Sequence, residues 1–169
     1  MSWYHDSMGI QGPHSPSYDV MQVCMNGHVI TENLRSSPEF SKKFCPDCGA
    51  ETINVCPECG TPIQGAYVNS IVIGLPAPNN CHECGVAFPW RQAAIANAIE
   101  VAQAEVDATQ AEEVAHLVRS IAAASPRAEA DAVKLGKIFR AAGSAGGEIL
   151  RKAFTDIASE MLLKAMGIR

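Results

Sequence analysis

The spacing of hydrophobic positions changes near residue 88. Before that point apolar residues come in short runs. Asp19–Val23 alternates into Cys24 and predicts a short strand. Tyr67-Val-Asn-Ser-Ile-Val-Ile-Gly74 is β-branched and aromatic and predicts another. Pro76, Pro78, Asn79 and Asn80 supply the turn after it. From Pro89 the period becomes 3.6. Pro89 suits a first helical turn, and Ile95, Ile99, Ala102, Val106, Val114, Leu117 and Ile121 form one stripe that weakens only near Gln110. One helix over 89–124, roughly 50 Å long, is therefore expected. Thr109-x-x-Glu112 offers a capping box, and with it the alternative of a break. Ser125-Pro126 opens a second helix over 126–142, which Gly143, Gly146 and Gly147 end. A third, over 147–166, carries Ile149/Leu150, Ala153/Phe154, Ile157/Ala158, Met161/Leu162 and Ala165/Met166 on a wide apolar face. These last two helices together match the first in length and can fold back along it.

All seven cysteines lie in the non-helical part, in four pairs of ligand spacing. They read Cys24-x3-His28, Cys45-x2-Cys48, Cys56-x2-Cys59 and Cys81-x2-Cys84, and a glycine follows each of the last three pairs. Such a turn is a zinc knuckle: two thiolates aim at one metal, and the glycine takes the left-handed backbone that folds amides back onto sulfur. His28 stands where an eighth cysteine would be, and Gly27 is placed for the turn that brings it beside Cys24. Eight ligands make two tetrahedral sites. Pairing within ribbons puts Cys24, His28, Cys45 and Cys48 on one metal and Cys56, Cys59, Cys81 and Cys84 on the other. A cross-brace would join the first pair to the third. The seven residues between Cys48 and Cys56, and the long excursions inside each ribbon, favour the sequential arrangement. Two Zn2+ are expected, and four thiolates would also suit iron.

The fold class read from these patterns is α+β. A tail covers 1–17, tandem zinc ribbons with rubredoxin-like knuckles and short antiparallel strands cover 18–88, and a helical domain covers 89–169. Charge divides at the same place. Residues 1–88 hold Arg35, Lys42 and Lys43 against eight acids, and residues 89–169 hold ten of each sign. Ligation adds −1 for a three-cysteine, one-histidine site and −2 for a four-cysteine site, which takes the ribbons to about −8. A surface of that sign disfavours nucleic acid. An odd cysteine number argues against a disulfide framework, and Met1–Gly12 lacks the apolar run of a signal peptide, so a cytoplasmic, reduced setting is expected. The longest uncharged stretch, Cys59 to His82, is interrupted by prolines and cannot span a membrane.

Trp3-Tyr-His-Asp6, the Cys-x-Asn-Gly-His28 knuckle and the three Cys-x-x-Cys-Gly knuckles together resemble a family of uncharacterised bacterial double-zinc-ribbon proteins, catalogued as a domain of unknown function. The resemblance covers about residues 1–100. It implies a ribbon fold and a bacterial setting, carries no established activity and adds nothing for the helical tail.

Four protein ligands per metal leave no open coordination position, so structural sites and no catalytic residue are expected. The expected function is a non-enzymatic zinc-binding adaptor. Residues 89–169 would self-associate as a homo-oligomer or bind a protein partner, with neither nucleic acid nor membrane as a partner. A nucleic-acid-binding zinc-ribbon regulator is the alternative. An enzyme built on His5, Asp6 and His14 of the tail is a further one.

Overall fold

A computed structural model describes residues 18–68, 74–143 and 148–168. The chain divides into two compact units, Met1–Pro78 and Asn79–Arg169. The class is mixed α+β, with short antiparallel strands around the cysteines followed by five α-helices among the described residues.

In the first unit the chain enters as β1 (Tyr18–Val20) and continues as β2 (Gln22–Cys24). β3 (Val29–Thr31) and β4 (Thr52–Ile53) flank β2 in a three-stranded antiparallel sheet, and β1 pairs with β5 (Gln64–Tyr67) in a separate ribbon. The predicted single strand is thus two, broken at Met21, whose N–H donates to Ile63 O at 2.8 Å. Alternation along 19–23 predicts one buried face, yet every residue from Asp19 to Cys24 is buried. The polar ones are satisfied inside. Asp19 accepts from the N–H groups of Val20, Arg35 and Ser36 and from the Ser36 hydroxyl. Burial pushes its carboxyl up, but those hydrogen bonds outweigh burial and hold it below the ordinary aspartate value. The Gln22 amide donates to Lys42 O and accepts from Lys42 N–H, standing in for a strand neighbour.

Of the strand predicted over 67–74, the described residues are Tyr67, which is in a strand, Val68, which is in a turn, and Gly74. The strand found is β5, which ends at Tyr67, and residues 69–73 of the prediction lie outside the described residues. β5 carries Gly65 in place of a β-branched residue. A Cβ there would collide with Glu32 O and the Val20–Met21 backbone, so close backbone approach set the composition of this strand.

The second unit begins with the last knuckle, although the shift in composition put the division at 88/89. Local bonds explain the difference: Phe88 N–H donates to Asn79 O at 3.0 Å, the Gln92 amide donates to Ala87 O at 2.6 Å, and the Phe88 and Trp90 rings stack at 4.8 Å. The knuckle is therefore attached to the start of α1 (Pro89–Ala104).

The long helix predicted over 89–124 is two helices. α1 stops at Ala104, a 3-10 turn covers Ala108–Gln110, and α2 (Ala111–Ala122) packs back on α1. The Gln103 amide donates to Ala111 O across this corner at 2.8 Å. Thr109 makes no capping box and lies inside the turn; the N-cap of α2, Gln110, has no side-chain cap bond. Fully buried Ala98 and Ala102 form the centre of the α1 face, with Ile95 and Ile99 at its margin. α3 (Ala128–Ala141) starts two residues after Pro126, and the Ser125 hydroxyl accepts Arg127 N–H and so caps the turn that leads into it. It ends into left-handed Gly143; Gly146 and Gly147 lie outside the described residues.

The predicted last helix is also two, α4 (Glu148–Thr155) and α5 (Glu160–Met166). Ser159 caps α5 by accepting from Leu162 N–H. Arg91 reaches the carbonyls exposed at this break and donates to Asp156 O and to Ala122 O, both at 2.6 Å. One guanidinium, only 8% exposed, thereby serves the C-terminal ends of α4 and α2. Val114, Leu117, Ile121, Leu135, Phe139, Leu150, Phe154, Leu163 and Met166 fill the common core.

Candidate metal centres

The three Cys-x-x-Cys-Gly turns are built alike. The first cysteine donates its N–H at 2.8 Å to the carbonyl five residues on: Cys45 to Ala50, Cys56 to Thr61 and Cys81 to Val86. The glycine N–H returns to the first cysteine's carbonyl at 2.9 Å in each. Closing both bonds requires a positive φ, and Gly49, Gly60 and Gly85 have +72°, +72° and +74°. An added Cβ would meet nothing within 4 Å at any of them, so glycine is needed there for conformation and not for room. The histidine knuckle reaches the same shape by another route. Gly27 turns at φ 90°, Cys24 N–H donates to His28 O at 3.0 Å, and His28 N–H donates to Cys24 Sγ at 3.3 Å.

These turns gather the eight side chains into two clusters. Cys24, His28, Cys45 and Cys48 form one, and Cys56, Cys59, Cys81 and Cys84 the other. Within each, all ligand atoms lie within 4.8 Å of one another. Cys24 Sγ and Cys48 Sγ are 3.8 Å apart, and Cys45 Sγ is 3.5 Å from His28 Nδ1. A tetrahedral ion with bonds of about 2.3 Å to sulfur and about 2.0 Å to nitrogen requires edges of about 3.8 Å and about 3.5 Å. These two edges of the first cluster match those of a bound ion. No disulfide joins the seven cysteines, and 3.8 Å is far beyond a sulfur–sulfur bond.

Burial alternates inside each cluster. Cys24, Cys45, Cys56 and Cys81 are buried, and His28, Cys48, Cys59 and Cys84 are exposed. The Ala50 N–H, the Asn26 amide and the neighbouring His28 and Cys45 bring the Cys48 thiol down to about 6, whereas burial pushes the Cys45 thiol up. Cys48 is thus mostly thiolate at neutral pH, which is the form that binds metal. Each cluster offers four side-chain ligands, the full set of a closed tetrahedral site, and so suits structural metal binding.

His82 and Glu83 sit exposed between Cys81 and Cys84, and His116 is exposed on α2. His5, Asp6 and His14 lie outside the described residues. Two neighbours of the ligands escaped sequence reasoning. The Asn26 amide is 3.4 Å from Cys48 Sγ, and the Thr61 hydroxyl is 3.3 Å from Cys59 Sγ. The asparagine inside the Cys24–His28 turn was the available signal. Elsewhere in the first unit, a cavity of about 300 Å³ lies beside β3, where Glu32 Oε1 accepts from Gly74 and Leu75 N–H. The other oxygen of Glu32 is enclosed and has no hydrogen-bond partner among the described residues.

Among the described residues no helix is long and apolar enough to cross a membrane. No curated protein and no solved structure matches the chain. The model of a bacterial family, described as "Uncharacterized protein conserved in bacteria (DUF2321)", matches residues 17–166; ribbons and helices are covered together, and the chain belongs to that family.

Proposed function

We propose that the protein is a non-enzymatic adaptor in which two structural zinc ions order the ribbons and the helical region provides the surface for assembly or for a protein partner. The observation that carries this reading is the pair of closed four-ligand clusters. A site that offers all four tetrahedral positions to protein side chains orders a chain and performs no chemistry. Zinc is favoured over iron by the imidazole in the first cluster, a ligand that suits Cys3His structural sites.

Among the described residues of the helical surface, the most exposed apolar side chains are Ile149 at 73% and Met161 at 68%, with Val133 exposed to a lesser degree. Leu150 and Leu163, by contrast, point inward. The premise of an uncovered 50 Å helix has gone with the break at Glu105–Asp107, so the case for self-association now rests on these two residues. For the nucleic-acid alternative, exposed Phe40 and Phe44 flank Lys42 and Lys43. Exposed Glu39, Asp47 and Glu51 offset those cations, and the ribbons' total near −8 repels phosphate.

Elemental analysis and light scattering of the same purified sample test the proposal. The expected outcome is a colourless protein with two zinc ions per chain, falling to one in Cys59→Ser, and a mass above the monomer that drops in the double variant Ile149→Glu, Met161→Glu. A red iron protein, a metal-free folded chain, or a strict monomer without partner would each remove one part of it.

A further inference from the structure

We propose that Asn26 is the positioning residue of the first metal centre: its side-chain amide holds the Cys48 sulfur from the opposite knuckle and sets that centre's metal affinity. The inference rests on the metal-binding reading of Cys24, His28, Cys45 and Cys48.

Asn26 lies in the middle of the Cys24–His28 turn, and its Nδ2 is 3.4 Å from Cys48 Sγ, twenty-two residues along the chain. A thiolate has no proton to give, so the amide must present its NH2 to sulfur. Cys48 is the exposed sulfur of its knuckle and carries a full negative charge when it ligates. The backbone N–H of Ala50 reaches it from its own knuckle. Asn26 adds a donor from the other one, so the same bond that stabilises the thiolate also ties together the two arms that share the metal. Partners that orient a metal ligand in this way commonly govern affinity as strongly as a ligand's own geometry does.

A role as a turn-former does not account for Asn26. Asparagine serves turns by accepting a backbone N–H two residues on, but that N–H, of His28, donates to Cys24 Sγ. It also serves them by taking a left-handed position. That position belongs to Gly27, at φ 90°; among the described residues Ala124 alone is non-glycine with positive φ. Asn26 is exposed, so its replacement removes no core contact.

Two substitutions separate the roles. Asn26→Ala removes the donor. Asn26→Asp keeps the shape and turn preference but replaces the donor with a charge facing sulfur. The measurement is 113Cd NMR on the full chain loaded with cadmium alone, where a three-sulfur, one-nitrogen site and a four-sulfur site give separate signals, together with competition against a chelator. The donor role predicts that only the nitrogen-containing site's signal moves. Its affinity should fall roughly 10- to 100-fold in Asn26→Ala and further in Asn26→Asp, with the four-sulfur site unchanged. An Asn26→Asp variant that binds as the wild type does overturns the proposal, as do two variants whose affinity and cadmium signal match the wild type. A wild-type chain lacking the nitrogen-containing signal overturns the metal reading and this inference together.

Discussion

Between Tyr18 and Val68 the buried apolar side chains, cysteines apart, are Val20, Met21, Val23, Ile63 and Ala66. The helices instead share a continuous core that includes Leu117, Ile121, Leu135, Phe139, Leu150, Phe154 and Leu163. At about 25 cal/mol per Å² of apolar surface, the first set is too small to order a segment of that length, whereas the second is of ordinary domain size. Four of the seven cysteine side chains are also buried, at the places where a larger protein would put leucine or phenylalanine. On the proposed reading, metal ligation in one region takes the part that apolar burial takes in the other. The family match spans both regions.

The largest effect should come from removing metal. Chelation at neutral pH should withdraw on the order of 10 kcal/mol per site from the ribbons, the last knuckle before α1 included, and leave the apolar core of the helices in place. Amide NMR should then show the signals of residues 18–68 collapse while helical circular dichroism is largely kept. Loss of the helical signal in step with the ribbons would break the comparison.

Phe154→Ala acts on the other side. Phe154 is fully buried in the helical core, and its truncation should cost about 3–5 kcal/mol. Denaturant melts should register that loss, while the zinc content stays at two. Metal lost along with helix stability would show that the ribbons depend on the helices.

The smallest effect sharpens the comparison within the ribbons. Asp19 is lowered in the folded state by its hydrogen bonds, so its contribution is complete above the usual aspartate range near pH 4 and is lost as pH falls through the folded value. In the metal-loaded protein, Asp19→Asn should lower stability at pH 7 and should flatten the acid side of the stability profile. An unchanged profile would mean that the metals alone hold the loop at Arg35 and Ser36.

The features legible in the sequence are local ones. A Cys-x-x-Cys-Gly turn is determined by five adjacent residues, so Gly49, Gly60 and Gly85 and the six cysteines around them could be read directly. His28 could be read from the ligand count. Helical character from Pro89 onward was equally plain, because apolar spacing at 3.6 is a property of the chain itself.

The sequence left the break near Gln110 open as an alternative and gave no sign of the one after Thr155, and the reason is physical. A stripe that continues along one long helix and a stripe folded back at Glu105–Asp107 place the same residues in the core, so periodicity cannot tell them apart. The same holds at Asp156–Ser159, where Ile157 stays buried inside the turn. A break is stable only if the backbone groups it frees find partners. At this one the donor is Arg91, sixty-five residues away from Asp156. Buried Asp19 and Gln22 and glycine in β5 follow the same logic. Each is correct only beside Ser36, Lys42 or Glu32, distant neighbours that the fold brings near. The sequence by itself determined which side chains could bind metal and which segments could coil. Tertiary structure decided where those segments end, because an unpaired carbonyl or carboxylate is tolerated only where another part of the chain arrives to meet it.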